Sequence, residues 1–333
     1  MSIYILYSGN TSINKNFIYL TGCSKIDEIS VIYNKKKYDI SDINLEKIDN
    51  IYTISNYKEN KNLERILKNK KLKIIDKYIE KARTIKTYNQ LNNIRYVTKY
   101  TCKAITEVIK NLDNYEYEYQ VVDDIKKILK GYGINNEAFP PICVNGRNNI
   151  ELHYNNNNNK IEKGNLLLLD IGFYYNNYCC DVGRTIPIGG KFDKNQKILY
   201  DMIVDISNYA IKSVKVGMKF KEWENKVFKK YMKNLYNLNL IKKLDLKLVK
   251  LFMPHHVGHS IGLEVHDIEF NIFKNNVAFT IEPGIYFTNE LYNNKYINSD
   301  IVAKYYYIGG IRIEDTAIIQ NSKIIVLSKK LKK

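Results

Sequence analysis

Histidine is the residue type whose placement in this chain most strongly suggests chemistry. There are five histidines, and the twelve residues 255–266 contain four of them: His255, His256, His259 and His266. The fifth is His153. Near neutral pH an imidazole can bind a metal, carry a proton or, when charged, donate hydrogen bonds. A single histidine is more often a packing residue, but this concentration favours a reactive site.

Two β-type segments joined by a polar turn each place an aspartate in an apolar run, Asp170 in the first and Asp181 in the second. With the turn centred between Tyr175 and Asn176, the two aspartates lie opposite each other, with Cβ atoms about 4.5–5.5 Å apart. Like charges this close repel, and a cation between them would remove the repulsion. Asp181 could equally pair with Arg184, so the hairpin alone leaves metal binding open.

Two glutamates, like the two aspartates, stand in or at the end of apolar β-type segments. Glu282 ends an apolar run, and Glu314 shares a strand face with Arg312 by two-residue periodicity. A solvated strand end and a simple Arg–Glu pair would also explain them. Together with the aspartates and histidines, they form an oxygen and nitrogen set that suits Mn²⁺, Co²⁺ or Zn²⁺. Four carboxylates are too many for one Zn²⁺ and enough to bridge two ions about 3.5–4 Å apart.

Five of these residues, in this order and with these neighbours, resemble the metal ligands of the creatinase/aminopeptidase P/prolidase/methionine aminopeptidase superfamily: Asp170, Asp181, His259, Glu282 and Glu314. The supporting motifs are Leu-His-Tyr at 152–154, Glu-Pro-Gly at 282–284 and Arg-Ile-Glu-Asp at 312–315. The resemblance covers roughly residues 77–325. It implies an α+β catalytic domain with the pita-bread fold, in which two pseudo-symmetric halves surround a dinuclear metal site.

The resemblance also implies how two divalent ions would be held. Asp181 and Glu314 would bridge both ions, Asp170 would bind one of them, and His259 and Glu282 would bind the other. The expected metal is Mn²⁺, with Co²⁺ or Zn²⁺ as alternatives. A hydroxide bridging two such ions is a nucleophile at neutral pH, and the ions polarise the scissile carbonyl.

Further roles follow from the same resemblance. His153 and His266 would stabilise the tetrahedral oxyanion through hydrogen bonds. His255 and Arg312 would orient the substrate. Glu282 would carry the proton from the nucleophile to the leaving nitrogen, which makes it a catalytic residue as well as a ligand.

Motifs next to the ligands indicate the branch of the superfamily. Phe-Met-Pro-His at 252–255, Gly-Ile-Tyr-Phe at 284–287 and the long segment 288–308 most resemble prolidases. We therefore expect hydrolysis of the bond before proline, in Xaa-Pro dipeptides, by a homodimer. An Xaa-Pro aminopeptidase (aminopeptidase P) acting on longer peptides is the alternative, and an inactive peptidase-fold binding protein is a remote one.

Three features depart from the family pattern. The N-terminal domain is short, His256 stands where the family has glycine, and Gly183 stands where it has threonine. A side chain at residue 256 needs space and a suitable φ. Glycine at residue 183 removes a hydrogen bond that a threonine could make to a ligand carboxylate.

The remaining sequence must form the elements that position these residues. Residues 1–76 alternate short β-type runs with polar turns, which predicts a small α/β domain. From residue 77 apolar residues recur at three- and four-residue steps, which predicts helices. Helices and strands then come in blocks, as in an α+β domain over residues 77–333. The lysine-rich tail, residues 329–333, is expected to fray.

The individual elements are predicted as follows. Helices are expected at residues 118–129, 196–214 and 220–238. Strands are expected at residues 3–7, 17–20, 29–33, 142–144, 150–154, 166–173, 178–182, 277–282 and 311–319.

The formal net charge of +17 does not by itself indicate nucleic-acid binding. Only six of the 52 basic residues are arginine, the residue type that base edges and phosphates favour. The lysines are spread along the chain with abundant Asn, Ile and Tyr, a mixture that AT-rich codons supply. We therefore expect no specific nucleic-acid partner.

Composition also predicts the environment of the protein. No apolar run approaches the ~20 residues that span a bilayer, and the N-terminal residues lack the features of a secretion signal. The five cysteines include no Cys-x-x-Cys pair, which is typical of reduced thiols. These patterns predict a cytoplasmic protein without a membrane partner.

Overall fold

A computed structural model describes residues 2–33, 35–45 and 48–333. Contacts within the chain divide it into two units, Met1–Ile85 and Lys86–Lys333. All the residues predicted to take part in chemistry belong to the second unit. None of the described helices is both long enough and apolar enough to cross a bilayer.

The first unit combines one sheet with short helices. Its strands are β1 (Ser2–Tyr7), β2 (Ile29–Tyr33), β3 (Lys36–Tyr38), β4 (Asn50–Thr53) and β5 (Leu72–Ile74). Its helices are α1 (Lys15–Thr21), α2 (Lys61–Leu67) and α3 (Asp76–Thr84). The sheet has the order β3-β2-β1-β4-β5, with β1 antiparallel to β2 and parallel to β4. This is the small α/β arrangement expected from the sequence.

The strand predicted for residues 17–20 is wrong, because these residues lie in α1. The side chain of Asn14 caps this helix by accepting hydrogen bonds from the backbone N–H groups of Asn16 and Phe17, at 2.8 and 3.3 Å. Gly22 ends it with a φ of 69°. An N-terminal asparagine and a left-handed glycine are the usual limits of a helix, and they outweigh the β propensity of the residues between them.

The second unit has longer helices and antiparallel strands. Its helices are α4 (Tyr88–Lys110), α5 (Glu118–Lys130), α6 (Lys194–Ser213), α7 (Phe220–Asn237), α8 (Leu246–Phe252) and α9 (Ser299–Tyr305). Its first strands are β6 (Asn136–Glu137), β7 (Ile142–Asn145), β8 (Leu166–Ile171), β9 (Phe173–Tyr175), β10 (Tyr178–Cys179) and β11 (Val182–Pro187). The others are β12 (Ala278–Ile281), β13 (Gly284–Tyr286), β14 (Gly310–Arg312), β15 (Asp315–Gln320) and β16 (Lys323–Val326).

Each half of this unit has its own core. In the first half, β8 lies between β7 and β11, and buried residues of α4 and α5, such as Ile105 and Ile125, cluster with Leu169 of β8. In the second half, β15 lies between β12 and β16, and β13 pairs with β14. There Trp223 of α7 clusters with Phe279 of β12. The predicted carboxylate ligands lie in or next to strands β8, β11, β12 and β15, and the predicted histidines lie in segments outside the strands.

Several predicted strands of this unit differ from the structure. The predicted strands 166–173 and 178–182 are each interrupted, at residue 172 and at residues 180–181. Residues 150–154 do not form a strand: residue 150 ends a 3-10 helix, Gly146–Ile150, and the Tyr154 hydroxyl donates to the buried carboxylate of Glu118 at 2.9 Å. Residues 311–319 form two strands, β14 and β15, because the chain leaves the sheet at residues 313–314. This break is where Glu314 lies.

The predicted register of the hairpin is wrong by two residues. Asp170 lies opposite Gly183, not opposite Asp181, and the β9–β10 pair continues the same register. The turn residues Asn176 and Asn177 have φ values of 47° and 67°, the two positive values of a type I′ turn. The turn is therefore centred between these two asparagines. Since the shift is even, Asp181 stays on the face of Asp170 as a diagonal neighbour.

Arg184 pairs with Asp315 and not with Asp181, the alternative that the sequence left open, and the prediction of a frayed tail is wrong. Arg184 is fully buried and donates to Asp315 Oδ1 at 2.7 Å, to backbone carbonyls of residues 183 and 314, and to those of Leu331 and Lys332 in the tail. Lys333 Nζ lies 2.7 Å from Asp315 Oδ2. A buried charge is tolerated only when its hydrogen bonds are made. The tail supplies part of this requirement and is therefore ordered.

We predict that Arg184→Met strongly destabilises the second unit. The change removes one of the two cations that contact the buried Asp315 carboxylate, leaving Lys333, and removes donors from four carbonyl groups. Breaking one side of such a buried pair costs about 3–5 kcal/mol. Thermal unfolding followed by circular dichroism measures the effect. The control is Lys197→Met, which removes an exposed pair with Asp201 worth at most about 1 kcal/mol; equal losses in both variants would contradict the role of Arg184.

Candidate active site

Carboxylates from both halves of the second unit meet around His259. Its Nε2 atom lies 3.6 Å from Asp181 Oδ2, 3.4 Å from Glu282 Oε1 and 3.9 Å from Glu314 Oε1. One donor atom each of Asp181, His259 and Glu314 lies within 4.8 Å of the other two. The fifth predicted ligand, Asp170, is buried beside them and contacts Arg312. The structure thus brings all five predicted ligands together.

The break between β14 and β15 positions Glu314. Its backbone N–H donates to Gly183 O at 2.9 Å, and the Gly183 N–H donates back to Glu314 O at 3.2 Å. A Cβ on Gly183 would lie 3.0 Å from Glu314 Cβ and 3.2 Å from its Oε2. A larger residue here would push the glutamate side chain by a few tenths of an ångström, and glycine avoids this contact.

Thr316 was not predicted as a site residue, but it positions Asp181. The Asp181 N–H donates to Thr316 Oγ1 at 3.0 Å, and this hydroxyl donates to Asp181 O at 2.6 Å. Thr280 acts similarly on the histidine segment, because its Oγ1 accepts from the His259 N–H at 3.0 Å. Thr280 on β12 and Thr316 on β15 each lie two positions from a predicted glutamate ligand, and this spacing was the available signal.

A chain of hydrogen bonds connects the predicted substrate-binding residues. Arg312 donates from Nη2 to Asp170 Oδ2 at 2.5 Å and from Nη1 to Tyr286 Oη at 2.8 Å. Tyr286 Oη lies 3.1 Å from His255 Nε2, and His255 Nδ1 lies 2.8 Å from His256 O. Because a carbonyl only accepts, His255 Nδ1 carries a proton, and Tyr286 donates to Nε2 of the neutral ring. Tyr286 was not predicted as a site residue, although the Gly-Ile-Tyr-Phe motif that contains it was used to indicate the branch of the superfamily.

The predicted oxyanion-binding histidines open onto the same cavity as the carboxylates. This cavity has a volume of 790 Å³ and is lined by His153, His255, His259 and His266 together with all five predicted ligands. The rings of His259 and His266 are 4.3 Å apart between centroids. All nine predicted catalytic, substrate-binding and metal-binding residues therefore line or border one cavity.

His256 lies at the edge of this cavity and not in its interior. Its side chain is 76% exposed, and Nδ1 is 2.8 Å from Glu224 Oε1 on α7. The same oxygen accepts from the Val257 N–H at 3.2 Å. His256 is not among the described residues with positive φ, so the backbone accommodates a side chain where the family has glycine. The imidazole links α7 to the segment that carries His259.

Comparisons with known proteins identify the family. Residues 92–321 match metallopeptidase family M24. The chain belongs to this family. The resemblance to the creatinase/aminopeptidase P/prolidase superfamily is confirmed.

Curated relatives of this M24 protein include a probable Xaa-Pro aminopeptidase PEPP of Paracoccidioides brasiliensis (strain Pb18). It is 25% identical over 285 residues, which cover 75% of this chain and 61% of the relative. A probable Xaa-Pro aminopeptidase of Botryotinia fuckeliana (strain B05.10) is 28% identical over 297 residues, covering 74% of this chain and 54% of the relative. The matched region thus spans a little over half of the length of these relatives.

Solved structures share the fold of the M24 chain. Aminopeptidase PepP of Pseudomonas aeruginosa gives a TM-score of 0.84 at 21% identity, covering 100% of this chain and 91% of that one. Icp55 of Saccharomyces cerevisiae gives a TM-score of 0.81 at 22% identity, and the match covers 100% of this chain and 90% of Icp55. The predicted α+β class with a pita-bread catalytic unit is confirmed.

The electrostatics of the M24 site fit divalent metal ions. Burial, with mutual repulsion of the carboxylates, raises the pKa values of Asp181 and Glu314 well above their usual range. Burial also raises the pKa of Glu282 to about 8 and lowers that of His259 to about 4. One oxygen each of Asp170, Asp181 and Glu314 is buried without a hydrogen-bond donor among the described residues. Unpartnered carboxylate oxygens beside a neutral imidazole are the donor set that divalent transition metals prefer.

We predict that the metal-free protein loses stability as the pH rises from about 6.5 to 8. The Glu282 carboxyl is protonated in the folded state up to a pKa of about 8 and ionised in the unfolded state above about 4.3. The folded state therefore binds more protons in this window, and the free energy of unfolding falls with increasing pH. The buried histidines, whose pKa values are lowered in the folded state, have an opposite effect that is half complete at about pH 6.5 and nearly complete by about pH 7.5.

Thermal unfolding in EDTA at several pH values tests this prediction. Glu282→Gln should make the melting temperature depend less on pH between pH ~6.5 and 8, because the glutamine amide does not titrate. Saturating Mn²⁺ should raise the melting temperature most at the higher pH, where fewer protons have to leave the ligands. A melting temperature that rises with pH in EDTA over the same window would contradict the assignment.

Proposed function

We propose that this M24 protein is a metal-dependent exopeptidase that hydrolyses the bond between an N-terminal residue and a following proline. The observation that carries the proposal is the single cavity in which the carboxylates around His259 face the His255–Tyr286–Arg312 array. The names of the curated relatives, which are described as probable Xaa-Pro aminopeptidases, support the same substrate class.

We further propose that two divalent ions, most simply Mn²⁺, are held by the five converging ligands. Asp181 and Glu314 both lie within 4 Å of His259 and both interact with Asp170, in keeping with two bridging carboxylates. When bound, the metal ions supply Lewis acidity at the scissile carbonyl and lower the pKa of the attacking water.

The remaining residues of the cavity act on the peptide directly. Glu282, whose carboxyl would be ionised once divalent cations are bound beside it, accepts a proton during attack and delivers it to the leaving proline nitrogen. His266 and His153 donate hydrogen bonds to the carbonyl oxygen as its negative charge develops. Tyr286 holds His255 in one tautomer and fixes Arg312, so that the two side chains present a rigid surface to the substrate.

The length of the substrate has two candidate answers. The prolidase-like motifs around His255 and Tyr286 support dipeptides. The cavity volume of 790 Å³ lies in the upper range of small-molecule sites and leaves room for residues beyond proline. That volume and the aminopeptidase names of the relatives support longer peptides as the second candidate.

The homodimer and the cytoplasmic location expected from the sequence stay predictions. The dimer is implied by the family resemblance alone, and light scattering coupled to size-exclusion chromatography tests it: a mass of one chain in solution would exclude it. Fractionation of cells that produce the protein tests the location, and recovery with a membrane or secreted fraction would contradict it.

We predict that Mn²⁺-loaded protein releases alanine from Ala-Pro or Ala-Pro-Ala-Ala but not from Ala-Ala-Ala-Ala. Glu282→Gln should lower kcat by at least about 100-fold, since it removes the proton carrier and one ligand oxygen. Amino-acid release measured by chromatography gives kcat and KM for each peptide. Equal cleavage of the proline-free peptide would contradict the proposed specificity, and no cleavage of either proline peptide by folded, metal-loaded protein would contradict the function. The ratio of kcat/KM for Ala-Pro to kcat/KM for Ala-Pro-Ala-Ala shows which substrate length the protein prefers.

A further inference from the structure

A second cavity adjoins the catalytic one in the same unit. It has a volume of 980 Å³ and is lined by the N-terminal half of α7, by α8, and by segments 256–260 and 269–272. No residue of the proposed catalytic mechanism except His259 borders it. Its walls combine apolar surface, from residues such as Phe220 and Phe228, with several charged side chains.

Lysine dominates the charge of this second cavity. Lys219, Lys221, Lys247 and Lys250 line it and are exposed. Neighbouring lysines of α7 are paired, as Lys226 is with Glu222, but these four make no salt bridge among the described residues. The catalytic cavity, by contrast, has no lysine among its described lining residues.

The acidic residues of the second cavity do not neutralise these lysines. Glu224 and Glu269 are the two carboxylates of the described lining, against four lysines. Glu224 is buried, and one of its oxygens is already engaged by His256 and by the Val257 N–H. The cavity therefore presents a net positive surface to a ligand, and an acidic ligand is the chemical complement.

The two cavities share a rim. His256, His259, Ser260 and Glu269 line both of them, and of these His256 and Glu269 are exposed. A peptide whose proline lies in the catalytic cavity must extend its following residues toward solvent. The shared rim offers a direct route, and the Glu224 contact holds His256 in place along it.

We propose that the second cavity binds the part of a peptide substrate that follows proline and favours acidic side chains there. This inference rests on the proposed function and adds a substrate class to it: peptides that start with Xaa-Pro and carry Asp or Glu a few residues later. Lys247 and Lys250, which lie on one side of α8, and Lys219 and Lys221, which flank the start of α7, recognise the carboxylates from opposite walls.

The test compares kcat/KM for Ala-Pro-Ala-Asp-Asp and Ala-Pro-Ala-Lys-Lys with the Mn²⁺-loaded full chain. At low ionic strength we expect the acidic peptide to be preferred about three- to tenfold, with the preference shrinking as salt is added. Lys247→Glu together with Lys250→Glu should abolish or reverse the preference. Cleavage of Ala-Pro itself should not change, because a dipeptide does not reach the second cavity.

A matched control places the same charge change elsewhere on the surface. Lys229→Glu with Lys233→Glu alters two exposed lysines of α7 that do not line the cavity, and it should leave the preference for the acidic peptide unchanged. Equal rates for the two pentapeptides, or a preference lost to the same extent in both double variants, would overturn the inference while leaving the proposed function intact.

Direct binding separates a failure of the cavity from a failure of the enzyme. If no Xaa-Pro peptide is hydrolysed, the proposed function is overturned, and fluorescence anisotropy with labelled Ala-Pro-Ala-Asp-Asp then tests the cavity alone. Salt-sensitive binding that is lost in the Lys247→Glu, Lys250→Glu variant supports the acidic-segment site. Binding that is absent, or that is unaffected by this variant, overturns it.

Discussion

Mutual repulsion between buried carboxylates is the constraint on which the rest of this structure depends. Asp170, Asp181 and Glu314 are each less than 10% exposed, and burial together with neighbouring negative charges raises the pKa values of Asp181 and Glu314. Such a cluster opposes folding when ionised. Among the residues that the structure describes, Arg312 is the one cation in direct contact with the cluster; it contacts Asp170, and an oxygen of each carboxylate has no donor. The site is thus incomplete without divalent cations.

Backbone contacts, not side-chain cations, hold the acidic groups in place. Reciprocal hydrogen bonds join Gly183 to Glu314, and Thr316 bonds to both the N–H and the carbonyl of Asp181. Behind them the buried Arg184 bonds to the Glu314 carbonyl and to the tail. This arrangement fixes the positions of the carboxylates without neutralising them, so the charge remains available to a metal. The two pseudo-symmetric halves meet at this seam.

The sequence was sufficient to predict the family, the fold class and the convergence of the nine site residues on one cavity. The types and the order of these nine residues are highly specific. Local geometry was harder to predict. The register of the hairpin depended on recognising Asn176-Asn177 as a type I′ turn, and a centre one residue earlier moved the partner of Asp170 by two positions. The tail was expected to fray because it is lysine-rich, but its contacts with Arg184 arise from residues about 150 positions apart, which no local pattern reveals.

The absence of lysine from the described lining of the catalytic cavity has a physical reason. A flexible ammonium group would reach the free carboxylate oxygens and compete with divalent cations for them. Arg312 avoids this competition because Tyr286 and Asp170 fix its planar guanidinium at the edge of the cluster. The chain has 52 basic residues, yet the buried Lys86 is engaged by Asp267, and the lysines of the second cavity are exposed. The free carboxylate oxygens of the acidic centre therefore stay accessible to divalent cations.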